Sequence, residues 1–532
     1  MPPAPTIALQ EPPTDPAVLD TEATAAAIAQ AEKTANRQIR GSSLLMSGRM
    51  ISIGINYVVQ ILTVRYLSES AYGAFAYALS MATLAETFVT FGLDRAVTRF
   101  LPIYEEQKNY GKLFGTYIMV LSTILSLSTA LLLLVFSFQN QIAQSLVNDQ
   151  QAISLLLILI VLGPIQALDN VFEGILAVFS RPRAIFFRRY VVAPALKVAV
   201  VGMLILGQSG VEFLAVGYVG AGLLGVLVYG SLLVRLFREH ELSKHFNRAM
   251  VKIPVREVLA FTVPLLASDL VYVVMNTVDA IMLEAFHSTS SVAAFRAVQP
   301  TARFNQLILT SFALLFTPAA ARLFARQDWS GINKLYWQNA IWVAVLSFPI
   351  FAMTFSLAQP LTTFIFDVRY ADSGVILALL SFGYYFNAAT GQNGLTLKVT
   401  GRIRYIVIVD VGVAVLNLLL NLVLIPRYGA LGAAVGTTVT MIIFNILKQY
   451  GLSKGTGVHV FERRYVRVYA VIGSAALGLL LVQAIFSPHV LISIPIALVT
   501  SLLVVRLNRG ELDIQRTYPQ LMKIKVLRLL LS

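Results

Sequence analysis

The chain contains 532 residues, of which 57% are hydrophobic and 13% charged. Its apolar residues occur in blocks long enough to cross about 30 Å of hydrocarbon with about 20 helical residues each, which excludes a water-soluble fold and predicts a polytopic membrane protein. There is no cysteine, so disulfides and thiolate chemistry are excluded, and the five histidines lack metal-ligand spacing. The net charge of +14 indicates membrane topology and attraction to anionic headgroups rather than a nucleic-acid partner.

The N-terminal segment, residues 1–42, is predicted to be a disordered cytoplasmic tail. Residues 1–16 are rich in proline, whereas residues 21–40 are rich in alanine and also fit a marginal helix at the membrane surface. No basic stretch followed by a short apolar core and a small-residue cleavage site occurs here, so a cleaved signal peptide is not expected.

Fourteen membrane-spanning helices are predicted from the hydrophobic blocks between polar breaks. They must be helices because every backbone amide in lipid has to be bonded within its own segment, and the blocks are too long for barrel strands. The predicted spans lie near residues 43–64, 72–92, 113–137, 152–178, 190–207, 213–234, 257–285, 293–320, 336–358, 374–396, 405–425, 430–447, 466–486 and 490–507. The predicted units are an N-lobe (43–236), a C-lobe (255–450), spans 13 and 14 (466–507), and a basic cytoplasmic tail (508–532).

The distribution of lysine and arginine orients these spans. With the N-terminus in the cytoplasm, most of the 41 basic residues fall on the inner side, and four fall within the membrane. Only Arg65, Arg369 and Arg427 fall on the outer side. This asymmetry follows the positive-inside rule, which an odd number of spans would blur.

One membrane unit occurs twice in the chain, at an offset of 220 positions. Residues 63–76 (TVRYLSESAYGAFA) align with residues 283–296 (LEAFHSTSSVAAFR), and the same offset places Asn56 on Asn276. Six spans per copy is an even number, so the two copies share one orientation and are related by an axis along the membrane normal. Parallel repeats of this kind line a central cavity and rock against each other, which predicts a transporter.

The predicted substrate site consists of intramembrane cations, each of which costs a few kcal/mol unless it faces water or a partner. They are Arg49 in span 1, Lys197 in span 5, and Arg296 and Arg303 in span 8. The two residues of span 8 are seven positions apart, so they share one helix face at depths roughly 10 Å apart. Guanidinium groups stay protonated and match phosphate oxygens bidentately, so this set suits a pyrophosphate headgroup better than a neutral or cationic drug.

Polar neighbours are expected to complete the cavity wall. Asn56, Gln60 and Asn276 are the candidates, since they lie in spans 1 and 7. Lys197 has an alternative in which its long side chain reaches toward an interface instead of the cavity.

Three acids within the predicted spans are candidates for coupling or gating: Glu86, Asp269 and Asp279. Their functional interpretation is ion coupling or proton relay, and the alternative is structural hydrogen bonding to nearby Asn and Thr side chains. Arg49 and Asp269 are equivalent in the repeat and are predicted to pair across the lobe interface. Such a pair would also serve as a gate if it formed in only one conformation. Separately, Asp169 and Glu173 are expected to form local salt bridges with the arginines of the inner loop after span 4.

Several motifs resemble those of the oligosaccharide flippases, the polysaccharide transporter family of the multidrug/oligosaccharidyl-lipid/polysaccharide (MOP) exporter superfamily. They are YGAFAYALS at 72–80, FGLDRAVTRFLP at 91–102, LNLLLNLVLIPRYGALGAA at 416–434, and Pro264 followed by Asp279 and VAAFR in spans 7 and 8. The resemblance covers about residues 43–450.

The resemblance implies that undecaprenyl-pyrophosphate-linked oligosaccharide passes from the inner to the outer leaflet of a bacterial cytoplasmic membrane by alternating access. The related lipid II flippases use cavity arginines in their first and eighth spans, which match Arg49 and Arg296, and a lipid-tail groove at spans 13 and 14. The lipid II flippases carry a larger set of basic residues in the N-lobe, whereas the predicted N-lobe spans here contain only Arg49 and Lys197. This difference argues against a peptidoglycan precursor as the substrate. O-antigen, capsule, exopolysaccharide and cell-wall polymer stay open as products, polymerase or ligase machinery is a possible partner, and a functional monomer is expected.

No cofactor is expected. The GxxxxGK[ST] phosphate loop does not occur in the sequence, so transport should be driven by an H⁺ or Na⁺ gradient, the membrane potential or consumption of the product. The alternative function is a cation-coupled multidrug exporter of the same superfamily, which predicts an acid-dominated cavity. A membrane-bound polymerase would need a large outer loop with catalytic residues, whereas every predicted outer loop is short, and a scaffold would leave the intramembrane arginines unexplained.

Overall fold

The computed structural model describes residues 21–141, 149–179, 181–239 and 248–512. This part of the chain is helical and contains no β-strand, so the predicted all-α membrane fold is confirmed. Among these residues twelve helices are long and apolar enough to cross a membrane, or thirteen if the bent pair within 255–286 counts as one span. The sequence-based count of fourteen stays a prediction.

The helices follow the order of the predicted spans. In the described N-lobe they are α1 (Thr21–Tyr66), α2 (Glu69–Thr90), α3 (Leu93–Glu106), α4 (Tyr110–Ser137), α5 (Gln150–Leu159), α6 (Leu162–Val178), α7 (Pro182–Ile185), α8 (Ala193–Leu206) and α9 (Val211–Glu239). In the described C-lobe they are α10 (Val255–Phe286), α11 (Thr289–Arg303), α12 (Leu307–Ala325), α13 (Trp329–Phe351), α14 (Ala358–Phe366), α15 (Ser373–Ala389), α16 (Asn393–Val399) and α17 (Ile403–Thr456). The C-terminal helices are α18 (Val466–Phe486), α19 (Val490–Leu507) and α20 (Arg509–Leu512).

Helix α1 includes the alanine-rich residues for which the sequence analysis kept a helix as an alternative. It begins at Thr21 and runs for 46 residues, so the second half of the predicted disordered segment is helical. Alanine has the highest helix propensity, and these residues extend a helix that span 1 has already nucleated, so they avoid the unfavourable first turn. Residues 1–20, and most of the predicted basic tail (513–532), lie outside the described residues.

Helix α17 is a hairpin of two helices rather than one long rod. Its 54 residues would extend about 81 Å, far more than one crossing needs. The helical geometry breaks at Gly429, where φ is 54° and ψ −132°. Asn417 Nδ2 lies 3.4 Å from Thr440 Oγ1, and a Cβ at Gly432 would come within 2.3 Å of the Leu424 carbonyl oxygen. The two halves therefore pack side by side and place residues near 420 and 437 next to each other.

Helix α3 joins the lobes at the end that the sequence predicts to face the cytoplasm, here termed the inner side, with the opposite end termed the outer side; the sequence analysis expected only a loop here. The chain leaves α2 through two left-handed residues, Phe91 (φ 52°) and Gly92 (φ 68°). Helix α3 then buries one face, formed by Leu93, Ala96, Val97, Leu101 and Tyr104. It packs on α4 and α6 of its own lobe and reaches α10 of the other lobe.

The two lobes meet most closely where α2 crosses α11. A Cβ at Gly73 would lie only 1.7 Å from the Thr289 carbonyl oxygen, so only glycine fits this crossing. The core around the crossing is shared by both lobes and includes the buried side chains of Tyr77, Leu283 and Phe295. This contact holds the outer ends of the lobes together.

We expect Gly73→Val to separate the outer ends of the lobes, because the added Cβ meets backbone that has no rotamer to change. A cysteine at Thr63, which is 2% exposed and lines the central cavity described below, should then react several-fold faster with a membrane-impermeant thiol reagent added outside. Gly54→Val is the matched control, since nothing lies within 4 Å of a Cβ at that position. Equal labelling rates in the two variants would contradict the role assigned to the crossing.

Candidate functional site

A cavity of about 490 Å³ lies between the two lobes. Helices α1, α2, α8 and α9 supply its N-lobe wall, and α10 and α11 supply its C-lobe wall. Six of the residues predicted from sequence line it: Asn56, Gln60, Lys197, Asn276, Arg296 and Arg303. The repeat and the seven-residue spacing on span 8 therefore place these side chains around one space.

Asn276 positions both arginines of the cavity. Arg296 donates through Nη2 to the Asn276 backbone oxygen at 2.9 Å and through Nη1 to Gln299 Oε1 at 2.9 Å. Arg303 donates through Nη2 to Asn276 Oδ1 at 2.8 Å and through Nε to Tyr384 Oη at 3.0 Å. The acceptors in these four hydrogen bonds are neutral amide, backbone and phenol oxygens.

Lys197 faces the arginines from the N-lobe wall. Its Nζ donates to Asn56 Oδ1 at 3.3 Å and lies 5.6 Å from the centroid of the Tyr218 ring. Asn56 in turn donates to the Ser52 carbonyl oxygen at 2.7 Å, which fixes its amide so that the oxygen faces the lysine. The structure thus places Lys197 in the cavity wall rather than at an interface.

The cavity wall is cationic. Among the described residues that line it there are three basic side chains and no carboxylate. Asp279 lies behind the wall, 1% exposed, where it accepts from Asn421 Nδ2 at 2.6 Å and from Thr437 Oγ1 at 3.3 Å. The two helices of the α17 hairpin supply these donors, one each.

The predicted Arg49–Asp269 pair is wrong. Asp269 instead forms an ion pair with Arg95 of α3, with 2.7 Å between Nη2 and Oδ1. Arg49 is exposed, does not line the central cavity, and lies seven residues, roughly 10 Å along α1, below Asn56. Helix α3 brings Arg95 to Asp269 in place of Arg49.

Glu86 has a partner within its own lobe. Its Oε1 accepts from Asn170 Nδ2 at 2.7 Å, which is the structural hydrogen bond that the sequence analysis kept as the alternative to coupling. The local salt bridges predicted for Asp169 and Glu173 are confirmed, because Arg188 pairs with Asp169 at 2.6 Å and Arg189 pairs with Glu173.

Contacts between α3, α4 and α10, here termed the inner closure, join the lobes on the inner side of the cavity. Besides the Arg95–Asp269 pair, Glu257 accepts from Lys112 Nζ at 2.7 Å and from Tyr104 Oη at 2.6 Å. The guanidinium of Arg99 lies 4.4 Å from the centroid of the Phe261 ring. These groups are largely charged and partly exposed to solvent.

A different set of contacts, here termed the outer closure, joins the lobes on the outer side. Arg65 donates through Nε to the Ile365 carbonyl at 2.8 Å, and Arg369 donates to the carbonyls of Arg65 and Leu67 at 2.9 and 3.1 Å. The Arg369 backbone N–H donates to Asp367 Oδ1 at 3.2 Å and lowers the pKa of that carboxyl. Two of the three arginines that the sequence placed outside are therefore bonded across the lobes.

A second outer contact involves Asp149. Its Oδ2 accepts from Thr289 Oγ1 at 3.0 Å and from Ser70 Oγ at 3.3 Å, so one carboxylate joins the first turns of α2 and α11. Lobe-to-lobe contacts thus lie at both ends of the cavity.

The inner closure allows a charge-swap test. Arg95→Asp or Asp269→Arg alone should open the inner side, and the double exchange should restore it. The pair is partly exposed and contributes at most about 1 kcal/mol, so we expect a several-fold rise in labelling of a cysteine at Thr83 by a reagent added to inside-out vesicles. If the double variant labels as fast as the single variants, the pair does not hold this side closed.

A family model described as "polysaccharide biosynthesis protein" matches residues 39–324, which is more than half of the chain. The chain belongs to this family. An uncharacterised membrane protein of Methanocaldococcus jannaschii is 22% identical over 455 residues, covering 82% of this chain and 88% of that protein.

Solved structures share the fold of this family member. The lipid II flippase MurJ in an inward closed conformation aligns with a TM-score of 0.67 and 17% identity, over 89% of this chain and 100% of that chain. An inward-facing multidrug resistance MATE transporter of the MOP superfamily aligns with a TM-score of 0.59 and 15% identity, over 78% of this chain and 98% of that chain. The resemblance stated from the motifs is confirmed for family and fold.

Sequence reasoning missed Gln299, which accepts a hydrogen bond from Arg296. Gln299 follows Arg296 by three positions and so lies on the same helix face, which was a usable signal. Tyr384 contacts Arg303 from α15, and no spacing in the sequence relates the two.

Proposed function

We propose that the protein moves a polyprenyl-pyrophosphate-linked oligosaccharide from the inner to the outer leaflet of the bacterial cytoplasmic membrane, with both termini in the cytoplasm. One observation carries this proposal: the described lining of the central cavity has three basic side chains and no carboxylate. Guanidinium groups bind phosphate oxygens bidentately, so Arg296 and Arg303 suit a pyrophosphate. The product would be a cell-surface polysaccharide, such as O-antigen, capsule, exopolysaccharide or cell-wall polymer.

The cavity lowers the barrier to crossing because the charged and hydroxyl-rich headgroup need not enter hydrocarbon. Burial of an unpaired charge or polar group in lipid costs several kcal/mol or more for each group. The volume of about 490 Å³ falls in the usual range for small-ligand sites, about 300 to 1000 Å³. It accommodates a pyrophosphate with its first sugars, while the polyprenyl tail stays in lipid.

Alternating access would use the two closures in turn. The outer closure is made of hydrogen bonds from arginines to backbone carbonyls, and the inner closure is made of ion pairs at partly exposed side chains. Each set joins one lobe to the other, so a rocking motion that breaks one set can leave the other intact. Since one chain builds the whole cavity, we propose that the monomer is the functional unit.

The group we propose for ion coupling is Asp279. It is buried in the C-lobe behind the cavity wall and accepts hydrogen bonds from the Asn421 amide and the Thr437 hydroxyl, so a carboxylate that can bind a proton or a sodium ion is held there. Intramembrane carboxylates of this kind are usually functional. An H⁺ or Na⁺ gradient would then drive the cycle.

Export of cationic drugs is the alternative, and the cavity charge does not favour it. A cationic drug would meet three cations in the described lining and no carboxylate. The likeness to the MATE transporter is one of fold alone.

The test is leaflet-resolved translocation in proteoliposomes. We expect a fluorescent polyprenyl-pyrophosphate oligosaccharide to change leaflets with the wild-type protein and not in protein-free vesicles. A cationic dye should not move. Movement of the dye without movement of the pyrophosphate lipid would overturn the proposal in favour of drug export.

A further inference from the structure

A second cavity, of about 520 Å³, lies at the outer end of the C-lobe. Helix α14 and the loop after it form one wall, and the turn between α18 and α19 forms the other. It shares no lining residue with the central cavity. The proposed translocation site therefore leaves this outer cavity without a role.

The lining of the outer cavity is polar but uncharged. Among the described residues it contains no Asp, Glu, Lys or Arg, and its polar side chains are amides, hydroxyls and one imidazole. Phe364, half exposed, adds an aromatic ring. A pyrophosphate would find no cation here, whereas a sugar hydroxyl, which both donates and accepts, pairs with either end of an amide.

Three side chains on the two walls keep hydrogen-bonding groups free for a ligand. Within the described part of the chain the Gln359 side-chain amide has no hydrogen-bond partner. Gln483 accepts from Ser493 Oγ at 3.3 Å through Oε1, which leaves its Nε2 unused. His489 accepts from the Leu491 backbone N–H at 3.4 Å through Nδ1, which leaves its Nε2 unused.

The position of the cavity indicates how a ligand reaches it. Ile485 and Phe486, directly beside it at the end of α18, are 69% and 74% exposed, as expected for side chains that face lipid. An amphiphile anchored in the outer leaflet would therefore present its headgroup at this level. Helix α14, one wall of the cavity, also supplies the carbonyl oxygens that Arg65 binds in the outer closure.

We propose that the outer cavity binds neutral sugar residues of a lipid-anchored glycan at the outer leaflet. The inference rests on the proposed function for the source of that glycan, which is the translocated product. Because α14 is shared with the outer closure, a sugar held here contacts the helix that must separate from α1 when the outer side opens.

A fluorophore on a single cysteine tests this site, since the chain has no native cysteine. Val368→Cys places the label at the cavity, where Val368 is 73% exposed, and Leu206→Cys, 87% exposed at the end of α8, is the control position. The protein is held in phospholipid nanodiscs and titrated with dodecyl maltoside below its micellar concentration. Dodecylphosphocholine has the same alkyl chain without the sugar and is the control probe.

We expect a saturable change at Val368→Cys with the maltoside and neither with the phosphocholine nor at Leu206→Cys. Combining Gln359→Ala with Gln483→Ala should weaken the maltoside response about 30-fold, since two hydrogen bonds are lost and each contributes about fivefold to the affinity. Gln139→Ala, an exposed amide at the outer end of the N-lobe, should change nothing.

Equal responses to both amphiphiles would overturn the proposal, because the alkyl chain would then be the ligand. A maltoside response that survives the double variant, or no saturable response, would also overturn it. Binding is measured here without translocation, so loss of sugar binding and loss of flipping are separate results. A protein that fails to flip but still binds maltoside would contradict the proposed function and leave the outer sugar site standing.

Discussion

Arg296→Gln is expected to weaken binding of a pyrophosphate-headed lipid by about 10- to 100-fold and to lower translocation correspondingly. The substitution removes a charged donor aimed into the cavity, and hydrogen bonds to charged groups contribute roughly 1.5 to 3 kcal/mol. Glutamine keeps a polar side chain able to bond Gln299, so the packing of α11 should survive. Binding is measured by titrating the reconstituted protein with an undecaprenyl pyrophosphate probe, and translocation by the proteoliposome assay.

Substitutions of two further arginines provide a comparison and a control for this result. Arg303→Gln should weaken binding less, because its side chain is more exposed than that of Arg296. Arg322→Gln is the matched control, since Arg322 is exposed on α12, outside the cavity lining. If Arg296→Gln binds the probe as tightly as Arg322→Gln does, the cavity is not the anion site.

The cavity could be predicted because two regular patterns determine it. Helical spacing places Arg296 and Arg303 on one face, and the internal repeat brings Asn56 and Asn276 to similar depth on facing lobes. Both patterns depend on the chain itself and not on how neighbouring helices pack. The structure accordingly places all four residues in the lining of the central cavity.

The partner of Asp269 could not be predicted in the same way. Hydropathy assigned residues 93–106 to a loop, because α3 is polar on one face and contains Pro102. Its buried face repeats at helical spacing, which was the available signal for a helix. No local pattern shows that this helix crosses to the other lobe, where Arg95 meets Asp269.

The outer closure shows a second limit of the sequence. The sequence analysis placed Arg65 and Arg369 on the outer side without assigning them a role, and their acceptors are backbone carbonyls, which every residue carries. A backbone carbonyl can accept a bond from an arginine where it lies at a helix end, because the last carbonyls of a helix have no partner within the helix. The positive-inside pattern therefore identified the two arginines but not their contacts.

Asp279→Asn is expected to abolish transport driven by an ion gradient while leaving binding of the pyrophosphate probe within about threefold of wild type. Asparagine has nearly the same shape and can still bond Asn421 or Thr437, but it neither ionises nor carries the charge that holds a cation. Asp279 lies behind the cavity wall, so the substrate contacts remain. Translocation is measured with an imposed H⁺ or Na⁺ gradient and again with none.

Glu86→Gln is the matched control, because Glu86 is another of the three acids predicted for coupling or gating and its amide replacement can still bond Asn170. We expect this variant to keep its response to the gradient, since the N-lobe hydrogen bond accounts for the acid structurally. Loss of the response in Glu86→Gln with retention in Asp279→Asn would move the coupling group to the N-lobe. Retention in both would contradict coupling at Asp279 and would leave Asp269, the membrane potential or consumption of the product as the source of the driving force.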